Sequence, residues 1–236
     1  MAAVNNASSD GRSSAALALC NGLVLGCLGA ALACLWQWGE PAGWSRIDRF
    51  SGGALLFCSL FVLQHMRFCR AVIPSRVTLK EAFGATYDPR MGLFNALLLV
   101  GQLTALMDYG HWHLTPALAR PALQYAGLGV YAASLALVVW ADAHLLRGFG
   151  ADGATRRLVK DGPYRYLRHP RYAGLFLTTV ALALTFASLL GWLLALAWAF
   201  VVRRRIRIEE QHLRDVFGSD YVCYEERTGA LFQKIL

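Results

Sequence analysis

Asp161-Gly-Pro-Tyr-Arg-Tyr-Leu-Arg-His-Pro-Arg-Tyr-Ala-Gly174 concentrates aromatic rings and cations in an otherwise apolar chain. Pro163 and Pro170 bracket its centre, and each proline pushes the residue before it out of the α-helical region. Gly162 and His169 are therefore predicted to be non-helical. We expect this stretch, called the motif segment below, to form a shaped polar loop beside the apolar segments of the chain.

The composition around the motif segment is that of a membrane protein. The chain of 236 residues is 56% hydrophobic and only 16% charged, whereas soluble domains carry about 25% charged residues. The net charge of +8 is confined to short stretches between long apolar runs. This distribution argues against a nucleic-acid partner and indicates a lipid bilayer as the surroundings.

Four apolar runs approach the roughly 20 residues that span a bilayer. They are Ala15 to Trp36, Gly52 to Met66 or Val72, Met91 to Asp108, and Ala122 to Leu145. The first run exceeds the ~7–15 apolar residues of a signal peptide, which favours a retained span. We predict a disordered tail over residues 1–14, transmembrane helices over 15–146 and a C-terminal catalytic region over 147–236, all within one membrane domain.

The apolar run from Tyr172 to Val202 is too long for one span. As a single helix it would reach about 45 Å, against a hydrocarbon core of about 30 Å. A helical hairpin that turns near Ser188–Gly191 fits better and places both flanks on one side of the membrane. All of the 23 Lys and Arg residues except Arg46, Arg49 and Arg120 then lie on that side. The positive-inside rule assigns that side to the cytoplasm.

Beyond the hairpin, Arg203 to Phe217 is predicted to form a helix of its own that ends at Gly218, a plausible C-cap. A short amphipathic tail follows from Tyr221. The predicted fold is therefore an all-α, polytopic integral membrane protein. It has four spans, an intramembrane helical hairpin and a cytoplasmic C-terminal helix.

A second polar cluster follows the hairpin and consists of Glu209-Glu210, Phe217-Gly-Ser-Asp-Tyr221 and Tyr224-Glu-Glu-Arg227. Together with Gly162-Pro-Tyr-Arg-Tyr-Leu-Arg-His-Pro-x-Tyr-x-Gly174, and in this order, it resembles the isoprenylcysteine carboxyl methyltransferase family. Phospholipid N-methyltransferases are more distant relatives in that group. The resemblance covers roughly residues 140 to 236. It implies an integral membrane enzyme of the bacterial inner membrane or endoplasmic reticulum that uses S-adenosylmethionine, with its active site facing the cytoplasm.

The resemblance also implies roles for individual residues. The motif segment is expected to bind the cofactor through Gly162, Tyr164, Tyr166, Arg168, His169, Pro170, Tyr172 and Gly174, with Glu209 contributing. Glu209 and Glu210 are expected to act as one catalytic unit, in which one carboxylate faces the site and the other faces water or an arginine. Arg227 is expected to hold a substrate carboxylate through two hydrogen bonds.

The sequence also allows structural or surface roles for the same residues. Glu209 and Glu210 could neutralise the arginines between Arg203 and Arg207 at i,i+4 spacing, and Arg227 could be a surface cation near lipid headgroups. Asp142, close to a helix end, either faces water or lines the site.

The sequence favours a lipophilic, prenylcysteine-like carboxylate as the methyl acceptor. The stretch Thr228-Gly-Ala-Leu-Phe232 lacks two prolines that the family carries there, and this departure bears on the substrate more than on the cofactor. Alternatives are a phospholipid amine, a thiol, a sterol-type membrane reductase and a non-enzymatic membrane protein. Asp108 with His111 and His113 lacks a further ligand at metal-binding spacing, so no metal is expected.

Overall fold

The computed structural model of the protein describes residues 49–72, 88, 91–109, 114, 120–148 and 157–232. Within these ranges the chain forms helices and no β-strand. The α-helices are α1 (Arg49–Val72), α2 (Met91–Met107), α3 (Pro121–Leu145), α4 (Pro170–Thr185), α5 (Leu189–Phe217) and α6 (Ser219–Arg227). Short 3-10 helices cover Leu146–Gly148 and Gly162–Arg165. The all-α prediction is confirmed, whereas residues 1–14 and the first expected span lie outside the described residues.

Helices α3 and α4 pack along each other over the largest contact in the described part of the chain. Glycines bring their backbones close together, as small residues do between membrane helices. A Cβ atom at Gly174 would lie 2.6 Å from Cγ2 of Val138, and one at Gly127 would lie 2.6 Å from the backbone nitrogen of Thr185. Helix α1 packs against α3, while α2 and α4 pack against α5.

The expected helical hairpin is present and is formed by α4 and α5. Helix α4 has 16 residues, which is roughly 24 Å at 1.5 Å per residue. The turn passes through Ala187, which adopts a positive φ of 51°. The hydroxyl of Ser188 then accepts a hydrogen bond of 3.0 Å from the amide of Gly191 and caps the start of α5. The turn therefore lies where the sequence placed it, next to a serine N-cap.

Helix α5 differs from the sequence prediction because it continues without a break through its 29 residues to Phe217. The separate helix expected from Arg203 is the second half of the same helix. No proline interrupts this stretch, and its arginines and glutamates are good helix formers. Helix α5 ends at Gly218, where φ is 52°, so the predicted C-cap is confirmed.

Two of the described helices are long and apolar enough to cross a bilayer, over Gly52–Val72 and Pro121–Gly148. Large apolar side chains are exposed on the outside of the bundle, for example Leu56 at 59% and Phe200 at 74%. Such exposure is expected where a bilayer, not water, surrounds the helices. Trp198, Phe61 and other buried apolar residues form the core between the helices.

Candidate active site

The motif segment is a shaped loop between α3 and α4, as predicted. Gly162 has a φ of 60°, in the left-handed region, and a Cβ there would lie 2.4 Å from Nε2 of His144. His169 precedes α4 with φ −127° and ψ 57°, outside the helical region, and Pro170 takes the first position of the helix. Both residues before the prolines therefore leave the right-handed helical conformation because of their neighbours.

The C-terminal residues Thr228–Ala230, called the tail segment below, pair with the motif segment. The amide of Arg168 donates a 2.8 Å hydrogen bond to the carbonyl of Gly229, and the amide of His169 donates a 3.0 Å bond to the carbonyl of Ala230. These backbone bonds join the two polar clusters of the sequence directly.

Arg168 and Glu210 form the centre of the contact between the two clusters. Nε of Arg168 donates a 2.8 Å hydrogen bond to Oε1 of Glu210, and the two side chains are only 9% and 10% exposed. Nη1 of Arg168 donates to the backbone carbonyls of Glu225, at 3.1 Å, and Thr228. The guanidinium thereby joins α5, α6 and the tail segment to the motif segment.

His169 lies between the two glutamates. Its Nε2 is 3.2 Å from Oε1 of Glu210 and its Nδ1 is 3.8 Å from Oε2 of Glu209. Burial raises the pKa of the Glu210 carboxyl, but hydrogen bonds from His169 and Arg168 outweigh burial and lower that pKa from 4.5 to about 2. Glu210 is therefore an acceptor that stays ionised beyond the apolar half of α5.

Glu209 faces the same network from one position earlier on α5. Tyr172 donates a 2.7 Å hydrogen bond from its hydroxyl to Oε1 of Glu209, and Nη2 of Arg205 lies 2.8 Å from the same oxygen. Both glutamates thus contact the motif segment, because His169 meets Glu210 and Tyr172 meets Glu209. Glu209 also faces an arginine, as was expected of one member of the pair, and does so at i,i+4 spacing.

Three further residues assigned to the cofactor have other surroundings. Tyr164 is buried in a small apolar cluster with Ala141 and Val159. Pro170 is buried at the start of α4. Gly174 packs against Val138 of α3. The close approach that Gly174 permits is thus made by a neighbouring helix, because the first turns of α4 are already covered by α3.

Tyr166 and Arg227 are the exposed members of the predicted site. Tyr166 is 51% exposed, and the side chain of Arg227, in the last turn of α6, is exposed as well. Neither side chain has a hydrogen-bond or ion-pair partner among the described residues. Both are therefore accessible to a bound molecule.

Several contacts of the network were not identified from the sequence, namely those of Arg168 with Glu210, Glu225 and the tail segment. These partners lie 42 to 60 residues from Arg168, so no local pattern signals them, whereas the pair of Arg205 with Glu209 has the i,i+4 spacing noted in the sequence. The buried pair of Asp142 and Arg171, with Nε and Oδ1 2.7 Å apart, was also missed as a pair. Asp142 had been singled out as an acid near a helix end, which was the available signal.

The structure shows no group of three or more potential metal ligands within the described ranges. His111 and His113 fall outside those ranges. Asp108 accepts a 3.1 Å hydrogen bond from the amide of Leu114. The expectation of a metal-free protein therefore stays a prediction.

Comparison with a solved structure supports the fold. The fold resembles that of "the eukaryotic intramembrane Ras methyltransferase ICMT (isoprenylcysteine carboxyl methyltransferase)", with a TM-score of 0.57 at 23% identity over 93% of this chain and 75% of that chain. The model of the phospholipid methyltransferase family matches residues 123–220. The chain thus has the helical fold of an intramembrane protein of this class.

Curated relatives narrow the class to a family. A probable protein-S-isoprenylcysteine O-methyltransferase of Oryza sativa subsp. indica is 31% identical over 150 residues, which are 56% of this chain and 76% of that protein. The chain belongs to the isoprenylcysteine O-methyltransferase family, and the resemblance noted in the sequence is confirmed.

Other relatives match over shorter stretches. Protein-S-isoprenylcysteine O-methyltransferase B of Arabidopsis thaliana is 39% identical over 75 residues, or 30% of this chain and 36% of that protein. The enzyme of Saccharomyces cerevisiae is also 39% identical over 75 residues, or 30% of each chain. The match therefore spans about a third of the length of these two relatives.

Proposed function

We propose that this protein transfers a methyl group from S-adenosylmethionine to the carboxylate of a lipophilic, prenylcysteine-like substrate at the membrane. The observation that carries the proposal is the buried network in which Arg168, His169 and Tyr172 of the motif segment meet Glu209 and Glu210. This network lies within residues 123–220, which match the model of the phospholipid methyltransferase family, and the curated relatives are named as isoprenylcysteine O-methyltransferases.

The residues fit such a cofactor, which carries a carboxylate, an ammonium and an adenosine. The exposed Tyr166 ring offers a flat apolar surface, and the hydroxyl of Tyr221 is buried without a hydrogen-bond partner among the described residues. When bound, S-adenosylmethionine would supply a methyl group on a sulfonium sulfur, and its transfer to a carboxylate oxygen would release S-adenosylhomocysteine without proton transfer. We propose that the motif segment, from Gly162 to Gly174, and Glu209 form and support the cofactor site.

The acceptor is best explained as a carboxylate. A neutral amine has to be formed by loss of a proton before it can accept a methyl group, so an amine acceptor needs a base. The pKa of Glu210 is about 2, which makes this carboxylate a weak base, and Glu209 is engaged with Tyr172 and Arg205. Arg227 is exposed and supplies a planar donor fork that matches a carboxylate. These features favour an acceptor that arrives already ionised.

A phospholipid amine is the second candidate acceptor, because the family model that matches residues 123–220 is that of phospholipid methyltransferases. Transfer of a labelled methyl group from S-adenosylmethionine separates the candidates. We expect labelling of a farnesylated cysteine analogue and none of phosphatidylethanolamine or a simple thiol. Labelling of phosphatidylethanolamine alone would select the second candidate. A rise in melting temperature with a nicotinamide cofactor, and none with S-adenosylmethionine, would refute methyl transfer.

We also propose the membrane topology of the sequence analysis, with four spans, the α4–α5 hairpin inside the membrane and a cytoplasmic C-terminal helix. The exposed residues of α1, of α3 with the short helix after it, and of α5 support it, since along each of them exposed apolar side chains are followed by an exposed arginine. The change falls between Leu63 and Arg67, between Trp140 and Arg147, and between Phe200 and Arg203. Arginine at the end of an apolar face marks the cytoplasmic boundary.

Cysteine labelling tests this topology in a background without the other cysteines. Leu189, the first residue of α5 after the hairpin turn, is 51% exposed, whereas Ser188 is buried and unsuitable. An impermeant maleimide added from the cytoplasmic side is expected to label Cys223 of α6, which is exposed, and not Leu189→Cys. Equal labelling of both positions from one side would contradict the proposed hairpin.

A further inference from the structure

We infer that Arg168 is a positioning residue that holds the tail segment against the motif segment and so places Arg227 for the substrate carboxylate. The inference rests on the proposed function and deepens it. It assigns the Arg168 guanidinium to the substrate half of the site, through Arg227, and not to contact with the cofactor.

The first observation is that protein groups occupy the guanidinium on all sides. Nε faces Oε1 of Glu210 at 2.8 Å, Nη1 faces the carbonyls of Glu225 and Thr228, and Nη2 lies 3.6 Å from Oε1 of Glu225. The Arg168 side chain is only 9% exposed. No open pair of N–H groups is left to grip a ligand carboxylate in the usual bidentate manner.

The second observation is that Arg168 binds backbone carbonyls at the C-terminal end of α6. A helix leaves its last four carbonyls without intrahelical partners, and cations commonly satisfy them. The carbonyl of Glu225 belongs to the last turn of α6, and Thr228 directly follows Arg227, the last residue of the helix. Arg168 therefore fixes the backbone on both sides of Arg227.

The third observation is that the same residue also holds the tail through its backbone. The amide of Arg168 donates to Gly229 and the amide of His169 donates to Ala230. The hydroxyl of Thr228 closes the junction with a 2.7 Å bond to the carbonyl of Tyr224. The side chain and the backbone of Arg168 thus both bind the tail segment, as expected for a residue that holds this segment in place.

The charges around Arg168 also argue against direct contact with the cofactor. The cation of Arg168 is paired with Glu210, and Glu225 lies beside it in a second pair with Arg214, at 2.6 Å between Oε1 and Nη2. An anionic group on a cofactor would meet carboxylates around a guanidinium that is already neutralised. Attraction between such a group and Arg168 is correspondingly weak.

The test is Arg168→Lys in the full-length protein, which keeps the charge and loses the fork. Arg157→Lys is the matched control, because Arg157 is exposed and, among the residues that the structure describes, pairs only with the exposed Asp161 at 3.9 Å. Three quantities are measured, namely hydrogen exchange of the tail segment, calorimetric affinity for S-adenosylmethionine, and kcat and KM with a farnesylated cysteine analogue.

We expect Arg168→Lys to speed exchange across the tail segment at least tenfold, while exchange in α4 is unchanged. Affinity for S-adenosylmethionine is expected to stay within threefold of wild type. The loss is expected to appear as a KM for the carboxylate substrate at least tenfold higher. Arg157→Lys should match wild type in all three measurements.

A double variant separates action through Arg227 from action elsewhere. If Arg168 works by placing Arg227, then Arg168→Lys combined with Arg227→Ala is expected to lower kcat/KM no more than threefold below Arg227→Ala alone. Independent contributions would multiply instead. Multiplied losses would therefore overturn the inference.

Affinity for S-adenosylmethionine that falls tenfold with unchanged exchange of the tail would show direct contact with the cofactor and overturn the inference. Should Arg168→Lys fail to fold, Thr228→Val removes a hydrogen bond of the same junction and is expected to give the same changes to a smaller degree. Unchanged hydrogen exchange of the tail segment in this variant would contradict the positioning role of Arg168. A wild-type protein that binds no S-adenosylmethionine would refute the proposed function, while the exchange data would still test whether Arg168 holds the tail segment.

Discussion

Nε of Arg171 lies 2.7 Å from Oδ1 of Asp142, which joins the first turn of α4 to the last turn of α3 through a charge pair shielded from solvent. Gln64 of α1 donates a 3.0 Å hydrogen bond to the other oxygen of Asp142. The guanidinium also lies 4.0 Å over the ring of Phe68. One arginine of the motif segment thus ties three helices together.

Removal of one partner from this pair is expected to destabilise the protein strongly. Asp142→Ala leaves a buried guanidinium without its counter-charge, and we expect the free energy of unfolding to fall by about 3–5 kcal/mol. Asp142→Leu combined with Arg171→Leu removes both charges and is expected to recover most of that loss. Unfolding in detergent measures both effects. Asp220→Ala, at an exposed acid of α6, serves as control, and an equally small effect at Asp142 would contradict the prediction.

Gly162→Ala is expected to lower the free energy of unfolding by about 1–3 kcal/mol. The new Cβ would meet the His144 ring at 2.4 Å, in a backbone conformation with φ of 60° that favours glycine. Gly162→Ala with His144→Ala should regain the steric part only. Gly129→Ala is the control, since a Cβ there meets nothing within 4 Å. Equal melting temperatures for Gly162→Ala and Gly129→Ala would disprove the close packing.

The contribution of Glu210 to stability is expected to depend on pH. Its pKa is about 2 in the folded protein against an ordinary value of 4.5. As pH falls below about 4.5 the unfolded chain binds the proton first, so the stabilisation is present above that pH and is lost towards pH 2.

The measurement is the difference in unfolding free energy between wild type and Glu210→Gln. At neutral pH this difference is expected to be about 1.5–3 kcal/mol, because a charged hydrogen-bond partner is lost. It should shrink as pH falls from about 5 to about 3. Glu225, whose pKa is lowered chiefly by its hydrogen bonds from Arg214, titrates in both proteins. A difference independent of pH would mean that the Glu210 carboxylate is not held ionised by its partners.

Arg227→Ala is expected to spare affinity for S-adenosylmethionine and to lower methyl transfer to a carboxylate substrate by about 10- to 150-fold. This range corresponds to the loss of one charged contact worth roughly 1.5–3 kcal/mol. Arg227→Lys should restore only part of the rate, because an ammonium keeps the charge without the planar fork. Transfer by Arg227→Ala within twofold of wild type would leave Arg227 as a surface cation near lipid headgroups.

The sequence by itself determined the helices and the family. Apolar run lengths set α1, α2 and α3 to within a few residues, the two prolines shaped the motif segment, and Ser188 marked the hairpin turn. These features depend on contacts within a few residues, which a local pattern records. The arrangement of the motifs along the chain was sufficient to place the protein in its family.

The tertiary structure alone decided how the site is assembled. Arg168 binds Glu210 and Thr228, which lie 42 and 60 residues further along the chain, and Arg171 pairs with Asp142 of the preceding helix. Charged side chains are costly to leave unpaired in an apolar surrounding, but the sequence offers each arginine several possible acidic partners. Helix packing determines the partner, because it brings only certain acidic side chains within hydrogen-bonding distance. For that reason Gly174 meets α3, both glutamates face the motif segment, and Arg168 holds the tail segment.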